Sequence, residues 1–309
     1  MRLAVIDIGT NSIRYDVHEL NSKRQLVGLF RDKAMLRLGE QVFLKGELQP
    51  QAIERCVASL RDFLLLCDNL GVDEIVAAGT SALRESKNAG SFVKRVDEEL
   101  NLKIKVISGE EEARLILKGI HSFEVGVPEE FCFVDIGGGS TELGINRAKE
   151  PPLLVSLKLG AARLQQKFFQ HEKREQSIEA LREFCKEDLK KIKFNRSFET
   201  VYGASGTAKA LTKILRKSTD AKFFDLKDLK SFTNEIKNYS AKKIREIPGM
   251  DEKRADIILP GALLLEEIMI FLGAKRLHRT KHALREGLLR EALEVFRWVR
   301  ADEKIALSN

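Results

Sequence analysis

The sequence predicts an α/β protein made of two related lobes with a cleft between them. An apolar run, a turn rich in Gly, Ser and Thr, and a second strand-like run occur twice, as "VIDIGTNSIR" from Val5 and as "FVDIGGGSTE" from Phe133. Each copy opens a segment in which short apolar runs alternate with helical periodicity. No low-complexity linker separates the copies, which favours two rigid domains that enclose a cleft.

The first copy has the pattern of a hairpin followed by alternating helices and strands. "RLAVID" and "IRYDVHEL" flank the turn "GTNS", and apolar residues from Ile53 to Cys67 recur at helical spacing before Gly71. Short strands are predicted at "DEIVAAGT" and "IKVIS", and helices at "SFVKRVDEEL" and "GEEEARLILKGI".

The second copy repeats this order and ends in helices. After "FCFVDIGGGSTELGIN", helical patterns run from Gly160 to Lys193, and "TVYGASGTAKALTKIL" reads as strand, turn and helix. In the final "ALREGLLREALEVFRWVR", one apolar face is predicted to hold Leu288, Ala292, Val295 and Phe296. We expect domains over 1–124 and 125–288, with a C-terminal helix over about 289–309 that packs back on the first.

Charge and composition narrow the classes of partner. The 309 residues carry a net charge of +7, with a pI near 9.1, which favours anionic partners, although a solubilising surface explains the bulk charge equally well. The four cysteines form no CxxC pair and are predicted to be buried apolar residues. The chain begins directly with a strand-like run, and "GALLLEEIMIFLGA" is too short to span a bilayer, so we expect a cytoplasmic protein without membrane contact.

The two glycine turns suit phosphate chemistry. Glycines allow backbone N–H groups to approach phosphate oxygens, and nearby hydroxyls can donate to the same oxygens. The carboxylates of Asp7 and Asp135, at the ends of the preceding strands, can hold Mg²⁺ directly or through water. One such turn is weak evidence, because a hairpin explains it, but two matching copies indicate phosphate binding. The hydroxyl candidates are Thr10, Ser12, Ser140 and Thr141.

Two further stretches have a structural and a functional interpretation. In "GASGTAKAL", Ser205 and Gly206 begin a helix whose N-terminus suits an anion, and close packing of helix on sheet is an equal alternative. In "SGEEEARL", the acids Glu110, Glu111 and Glu112 begin a helix, where the helix dipole favours negative charge. The alternative is that one of them is a catalytic base, and the residues alone do not say which.

These motifs together resemble a known family. "DIGTNSIR", "DIGGGSTE" and "GASGT", in this order and spacing, are similar to the superfamily of actin, heat-shock ATPases and sugar kinases. "GTSALRES", "ISGEEEARLI", "RADIILPGA" and "ALREGLL" narrow the resemblance to the exopolyphosphatase and guanosine pentaphosphate phosphatase family, in its short two-domain form. The resemblance covers nearly the whole chain and implies a duplicated ribonuclease H-like, actin-like ATPase fold.

The resemblance also implies roles for individual residues. The carboxylate directly before Ala-Arg, Glu112, corresponds to the family's catalytic base, and Glu142 to a residue that binds metal and positions water. The implied metal ligands are Asp7, Asp135 and Glu142. The implied substrate-binding residues are Thr10, Asn11, Ser12, Arg84, Gly137, Gly138, Gly139, Ser140, Thr141, Ser205 and Gly206, with Arg14 and Arg285 as weaker candidates.

The implied activity is hydrolysis of a phosphoanhydride. We expect an Mg²⁺-dependent exopolyphosphatase, with a monovalent cation as an additional candidate ion, that acts on inorganic polyphosphate. Guanosine pentaphosphate is the alternative substrate, while a kinase-like phosphotransferase and a non-catalytic nucleotide sensor are more remote alternatives. No nucleic-acid partner is expected, and a homodimer is left open.

Three features depart from the family pattern or remain ambiguous. Lys281 stands where an acid is usual before "LREG", and Tyr15 stands where a small aliphatic residue is usual. His278 and His282 have a spacing compatible with a metal, but no third ligand is evident, so a helix end or loop is the expectation.

Overall fold

A computed structural model describes residues 1–169, 174–194, 196–218, 220–299, 305 and 307–308 of the protein. The strands are β1 (Arg2–Ile8), β2 (Ile13–Leu20), β3 (Leu26–Ala34), β4 (Glu74–Gly79), β5 (Ile104–Val106), β6 (Phe131–Ile136), β7 (Thr141–Asn146), β8 (Leu153–Leu157), β9 (Thr200–Ala204), β10 (Phe223–Asp225), β11 (Arg276–Arg279) and β12 (Leu307–Ser308).

The helices are α1 (Val42–Lys45), α2 (Pro50–Asn69), α3 (Ser81–Glu85), α4 (Ala89–Leu100), α5 (Gly109–Phe123), α6 (Ala161–Phe168), α7 (Arg174–Lys190), α8 (Ser205–Arg216), α9 (Leu226–Ile236), α10 (Ala241–Arg245), α11 (Ile258–Phe271) and α12 (Leu284–Val295), with a 3₁₀ turn at Glu252–Arg254. No helix in these described ranges is both long and apolar enough to cross a bilayer.

The chain forms two compact units with the same sheet topology. Unit 1 comprises Met1–Val125 and His282–Asn309, and unit 2 comprises Gly126–Lys281. In unit 1, β1, β2 and β3 are antiparallel, while β4 and β5 extend the sheet parallel to β1. In unit 2, β6, β7 and β8 repeat the antiparallel part, and β9 and β11 the parallel part. The predicted duplicated α/β architecture is therefore confirmed.

Each unit has its own apolar core. In unit 1, the residues of β1 and β2 that include Ile6, Ile13 and Val17 pack with α2 and α4. In unit 2, α6, α7, α8, α9 and α11 supply a core against one sheet face. All four cysteines are buried free thiols, as predicted, and burial raises the pKa of the Cys56 thiol to about 12.

Helix α11 carries two glutamates inside its apolar surroundings. Glu266 and Glu267 are almost fully buried, and both carboxylates contact the guanidinium of Arg182 on α7. The hydroxyl of Thr233 on α9 also donates to Glu266, at 2.6 Å. Buried charges are tolerated when they are paired in this way, so these acids join α7, α9 and α11.

The C-terminal part of the chain differs from the predicted helix over about 289–309. Helix α12 begins earlier, at Leu284, and ends at Val295, which is 67% exposed rather than on the apolar face. Further on, β12 pairs in parallel with β3, and positions 300–304, 306 and 309 lie outside the described residues.

Helix α12 belongs to unit 1, so the unit boundary falls between Lys281 and His282 rather than at the expected residue 288. The helix packs along α5 at two glycines, since a Cβ on Gly119 or Gly287 would collide with the facing backbone. This close approach is a tertiary feature, which local periodicity does not reveal.

Candidate active site

The two glycine turns have the same geometry in the two units. In unit 1, the register pair Ile8 and Ile13 closes a four-residue turn, and the N–H of Gly9 donates to the carbonyl of Ser12 at 3.1 Å. In unit 2, Ile136 and Thr141 close the matching turn, whose equivalent hydrogen bond measures 2.9 Å. The duplicated motif in the sequence therefore corresponds to a duplicated turn in the structure.

The backbone polarity of these turns suits an anion. The carbonyls of Thr10 and Asn11 accept hydrogen bonds from the N–H groups of Gly39 and Arg37, at 2.8 and 3.0 Å. Within the described residues, the N–H groups of Gly138 and Gly139 donate no hydrogen bond. Unpaired backbone donors beside hydroxyl groups form the kind of surface that binds phosphate oxygens.

A neighbouring backbone segment packs closely against the unit 2 turn. No positive φ occurs at Gly137, Gly138 or Gly139, so unusual dihedrals do not explain them. A Cβ on Gly160 would lie 2.5 Å from the backbone of Gly138 and of Gly139, so a backbone segment lies directly against the turn. The first N–H groups of α6, which follows Gly160, donate to the turn carbonyls and fix the turn's orientation.

Thr141 does not fit the predicted contact with substrate. Its side chain is fully buried, and its hydroxyl donates to the carbonyl of Leu159. The hydroxyl is therefore committed to holding the chain after β8 against the turn. Ser140, one residue earlier, is also buried, at the end of the turn itself.

A pair of carboxylates flanks the unit 2 turn. Asp135 and Glu142 are direct register partners on β6 and β7, and both are buried. Side chains at such positions have Cβ atoms about 5 Å apart, and like charges there repel. Ser156 donates to one Glu142 oxygen at 2.8 Å.

The matching pair of unit 1 is different. Asp7 is the register partner of Arg14, whose guanidinium lies 3.2 Å from its carboxylate. Burial raises the pKa of Asp7, and the charge of Arg14 opposes that rise. A cation therefore already stands beside Asp7, which fits the predicted role of metal ligand poorly.

The donor set of unit 2 fits Mg²⁺ better than that of unit 1. Mg²⁺ is usually held by one or two carboxylates together with water and substrate phosphates. Asp135 and Glu142 provide two such oxygen donors, and their mutual repulsion is relieved by a divalent cation. No cluster of three or more His, Cys, Asp or Glu side chains that could hold a metal occurs among the described residues.

The three glutamates at the start of α5 have three different environments. Glu110 is exposed, and Glu111 forms a bidentate ion pair with Arg114, at 2.7 and 2.9 Å. The N–H of Glu111 also donates to the Ser108 hydroxyl, which caps the helix. Glu112 is only 8% exposed. The helix-start interpretation therefore suits Glu110 and Glu111 and leaves Glu112 distinct.

Glu112 is hydrogen-bonded to Arg84, a predicted phosphate-binding residue of the same unit. Nη1 of Arg84 donates to a Glu112 carboxylate oxygen at 3.1 Å and to the carbonyl of Ile107 at 2.9 Å. Ile107 in turn donates its N–H to Gly79, at the carboxyl end of β4. Arg84 and Glu112 thus lie at the carboxyl edge of the parallel strands, where α/β sheets bind their ligands.

Arg285 is held within an ionic network instead of lying in a phosphate turn. It forms an ion pair with Asp16, which also lies 2.7 Å from Arg31 and 3.6 Å from His18. Arg31 continues the network to Glu286, at 3.1 Å. Burial opposes the charge of Asp16, but the hydrogen bond from His18 and the charges of Arg285 and Arg31 hold the pKa of its carboxyl below its ordinary value. The weaker substrate assignment of Arg285 does not fit this arrangement.

The start of α8 contains a strained residue and an arginine that sequence reasoning missed. Ser205 has φ of 78°, a left-handed conformation that costs free energy for a non-glycine residue. The guanidinium of buried Arg254 packs directly on Gly206, where any side chain would collide with it. The motif "RADIILPGA" contains Arg254, but its contact with Gly206, 48 positions earlier, has no local signal.

Of the two residues that depart from the family pattern, Tyr15 lies in the unit 1 core and Lys281 lies at the surface. The Tyr15 ring stacks on Phe63 at 4.5 Å between centroids, and its hydroxyl lies 2.7 Å from that of Ser59, so it replaces a smaller residue within the unit 1 core. Lys281 is exposed. His278 lies on β11 of unit 2, and His282 precedes α12 in unit 1, 4.0 Å from Glu124, so they do not share a helix.

Comparison with known proteins identifies the family. The profile of the Ppx/GppA phosphatase family matches residues 17–296. The chain belongs to the Ppx/GppA phosphatase family. The resemblance predicted from the motifs is confirmed, and the expected enzyme class agrees with the description of the family as phosphatases.

Solved structures of this family cover nearly the whole chain. A Ppx/GppA family member from Aquifex aeolicus is 27% identical, with a TM-score of 0.80 over 97% of this chain and 99% of that one. An exopolyphosphatase from Cytophaga hutchinsonii is 26% identical, with a TM-score of 0.86 over 96% and 98%. The two-unit architecture is therefore that of these Ppx/GppA structures.

A curated relative is considerably longer. The bifunctional 3-dehydroquinate synthase/phosphatase of Fusobacterium nucleatum is 33% identical over 288 residues, which cover 87% of this chain. The chain spans 43% of that relative's length. The similarity is therefore to one part of a longer protein.

Proposed function

We propose that the protein is an exopolyphosphatase that removes the terminal phosphate of inorganic polyphosphate by attack of water. The observation that carries this proposal is the environment of Glu112, which is the one buried acid of the run "EEE" and is hydrogen-bonded to Arg84 at 3.1 Å. A carboxylate held by a phosphate-binding arginine is suited to act on a water beside a phosphoryl group.

The chemical step assigns a separate task to each group. The water oxygen bonds to the terminal phosphorus as the bridging P–O bond breaks, and the electron pair of that bond leaves with the shortened chain. The Glu112 carboxylate takes the proton of the water, and the proton later passes to solvent or to the leaving phosphate. Arg84 offsets the charge on the phosphoryl oxygens.

Asp135 and Glu142 would hold Mg²⁺ in this scheme. When bound there, the ion would neutralise charge on substrate phosphates. The chain's own contribution is to keep the two carboxylates side by side on β6 and β7, with Ser156 fixing one Glu142 oxygen.

The substrate ranking rests on charge. The net charge of +7 favours a long polyanion, because a longer anion can meet distributed lysines and arginines at more positions than a nucleotide can. Guanosine pentaphosphate remains the alternative substrate. Side-by-side assays on long-chain polyphosphate, guanosine pentaphosphate and ATP give the order, and faster turnover of the nucleotide would reverse our ranking.

The decisive experiment compares two adjacent glutamates. Glu112→Gln should lower kcat for phosphate release from polyphosphate with Mg²⁺ by about 10²- to 10⁴-fold, the usual contribution of a general base, while polyphosphate binding is retained. Glu111→Gln removes an ion pair with Arg114 and should change kcat by less than about twofold. Full activity of Glu112→Gln with an inactive Glu111→Gln would place the base one residue earlier.

A further inference from the structure

Unit 2 contains a cavity at the end of its sheet opposite the phosphate turn. Its volume is about 430 Å³, and it is lined at the amino ends of β6, β9 and β11 by residues that include Phe131, Thr200 and Arg276. β6 runs from Phe131 to Ile136, which separates this cavity from the turn by about 16 Å at 3.3 Å per residue. It is therefore distinct from the candidate active site.

The walls of this cavity are aromatic. Tyr202 contacts Phe131 edge-on at 5.6 Å between ring centroids and lies 5.2 Å from the His278 ring. Phe223 is 46% exposed, and the guanidinium of Arg276 lies 4.6 Å from its ring centroid. Phe131 and Tyr202 are themselves buried, so the flat apolar face open to a planar ligand is that of Phe223.

A second cavity of about 670 Å³ continues from the first and is basic. The two share Glu199, Thr200 and Arg276, and the second is also lined by Lys227, Lys230 and Lys275. Among the described residues, Lys227 and Lys230 form no ion pair, whereas Asp225 is paired with Arg276 at 2.9 Å and Lys275 lies 3.9 Å from Glu199. Lys227 and Lys230 therefore present two ammonium groups to an anion, and the charge of Lys227 also acts on Asp225.

We propose that the joined cavities form a nucleotide-binding site. The base would stack on the half-exposed ring of Phe223 in the first cavity, and the phosphates would lie against Lys227 and Lys230 in the second. Both volumes lie within the range of small-molecule sites. Arg276 lines both cavities, between the aromatic rings and the lysines. A nucleotide combines a planar base with charged phosphates, so one molecule can occupy both cavities.

The test measures ADP binding by isothermal titration calorimetry without divalent cations, which suppresses phosphate hydrolysis. ADP should bind to the full-length protein, and Phe223→Ala, which removes a half-exposed ring, should weaken binding about tenfold, as loss of a stacking partner does. A double variant, Lys227→Ala with Lys230→Ala, should weaken it similarly. Lys237→Ala, an exposed lysine outside both cavities, is the matched control and should bind as the wild type does.

Separate titrations with adenosine and with pyrophosphate test whether both cavities are used. Each should bind more weakly than ADP, and Phe223→Ala should affect adenosine while the lysine variant affects pyrophosphate. The proposal is overturned if ADP does not bind, or if neither Phe223→Ala nor the lysine variant weakens ADP binding. Arg84→Ala, in unit 1, should retain ADP binding, so these results are independent of whether the protein hydrolyses polyphosphate.

Discussion

Asp135 and Glu142 lie directly opposite each other on β6 and β7, whereas the matching positions of unit 1 hold Asp7 and Arg14. The duplicated turn is thus accompanied by two opposite charge arrangements, an acid pair and an ion pair. Because like charges at such positions repel, the acid pair gains most from a divalent cation. The two copies of the motif are therefore suited to different tasks.

Removing one acid of this pair should change the metal requirement. Glu142→Gln keeps the size of the side chain but removes one charged ligand, so the Mg²⁺ concentration for half-maximal phosphate release should rise at least about tenfold. A magnesium titration of polyphosphate hydrolysis measures this. Glu150→Gln, an exposed acid of the same hairpin, is the control. An unchanged magnesium curve for Glu142→Gln would remove this residue from the metal site.

The Asp16 network should make unit 1 sensitive to acid. The folded-state pKa of Asp16 is lowered, so the network contributes stability above the unfolded pKa of about 3.9 and loses it as pH falls through the folded value. Asp16→Asn leaves Arg285 and Arg31 without their shared partner and should lower the free energy of unfolding at pH 7 by about 3–5 kcal/mol.

Urea unfolding at pH 7 and at pH 3 measures this effect. The difference between wild type and Asp16→Asn should shrink at the lower pH, because pH 3 lies below the unfolded-state pKa of about 3.9, so the unfolded chain binds the proton and part of the contribution is lost. Asp32→Asn, at an exposed position of β3, should show a small and pH-independent difference. If Asp16→Asn lowers the free energy of unfolding equally at both pH values, the charge of Asp16 is not the source of its stabilising effect.

Because the backbone of Ser205 is strained, two substitutions can separate the effect of its conformation from the effect of its hydroxyl. Ser205→Ala and Ser205→Gly both remove the hydroxyl, but only glycine adopts φ of 78° without a steric cost. We expect Ser205→Gly to be more stable than Ser205→Ala by about 1 kcal/mol in thermal or urea unfolding. If the hydroxyl binds phosphate, both variants should lose polyphosphate affinity equally, and wild-type affinity in both would exclude that role.

Sequence reasoning succeeded where the signal was local or duplicated. The repeated Asp-Ile-Gly motif predicted two matching turns, and the structure contains both. The acidic run predicted helix-start acids, and Glu110 and Glu111 occupy that position on α5. These features depend on neighbouring residues, whose order the sequence states directly.

Features that depend on distant partners were not predictable in the same way. Arg285 and Thr141 have residue types that suit phosphate, but one is paired with Asp16 on β2 and the other donates to Leu159. The contact of Arg254 with Gly206 likewise joins two separate motifs. Each partner is selected by tertiary packing, which periodicity and composition do not encode.

The close approach of Gly160 to the unit 2 turn provides a final test of how the turn is held. An added Cβ would lie 2.5 Å from the Gly138 and Gly139 backbone, a distance that forces the turn or α6 to move. Gly160→Ala should therefore lower the free energy of unfolding by about 1–3 kcal/mol, the usual cost of overpacking. It should also reduce kcat for phosphate release at least about tenfold, because misplaced groups lose catalytic alignment.

Gly90→Ala is the matched control, since no heavy atom lies within 4 Å of an added Cβ at this position. Wild-type kcat in a destabilised Gly160→Ala would show that the turn's placement matters for folding and not for phosphate release.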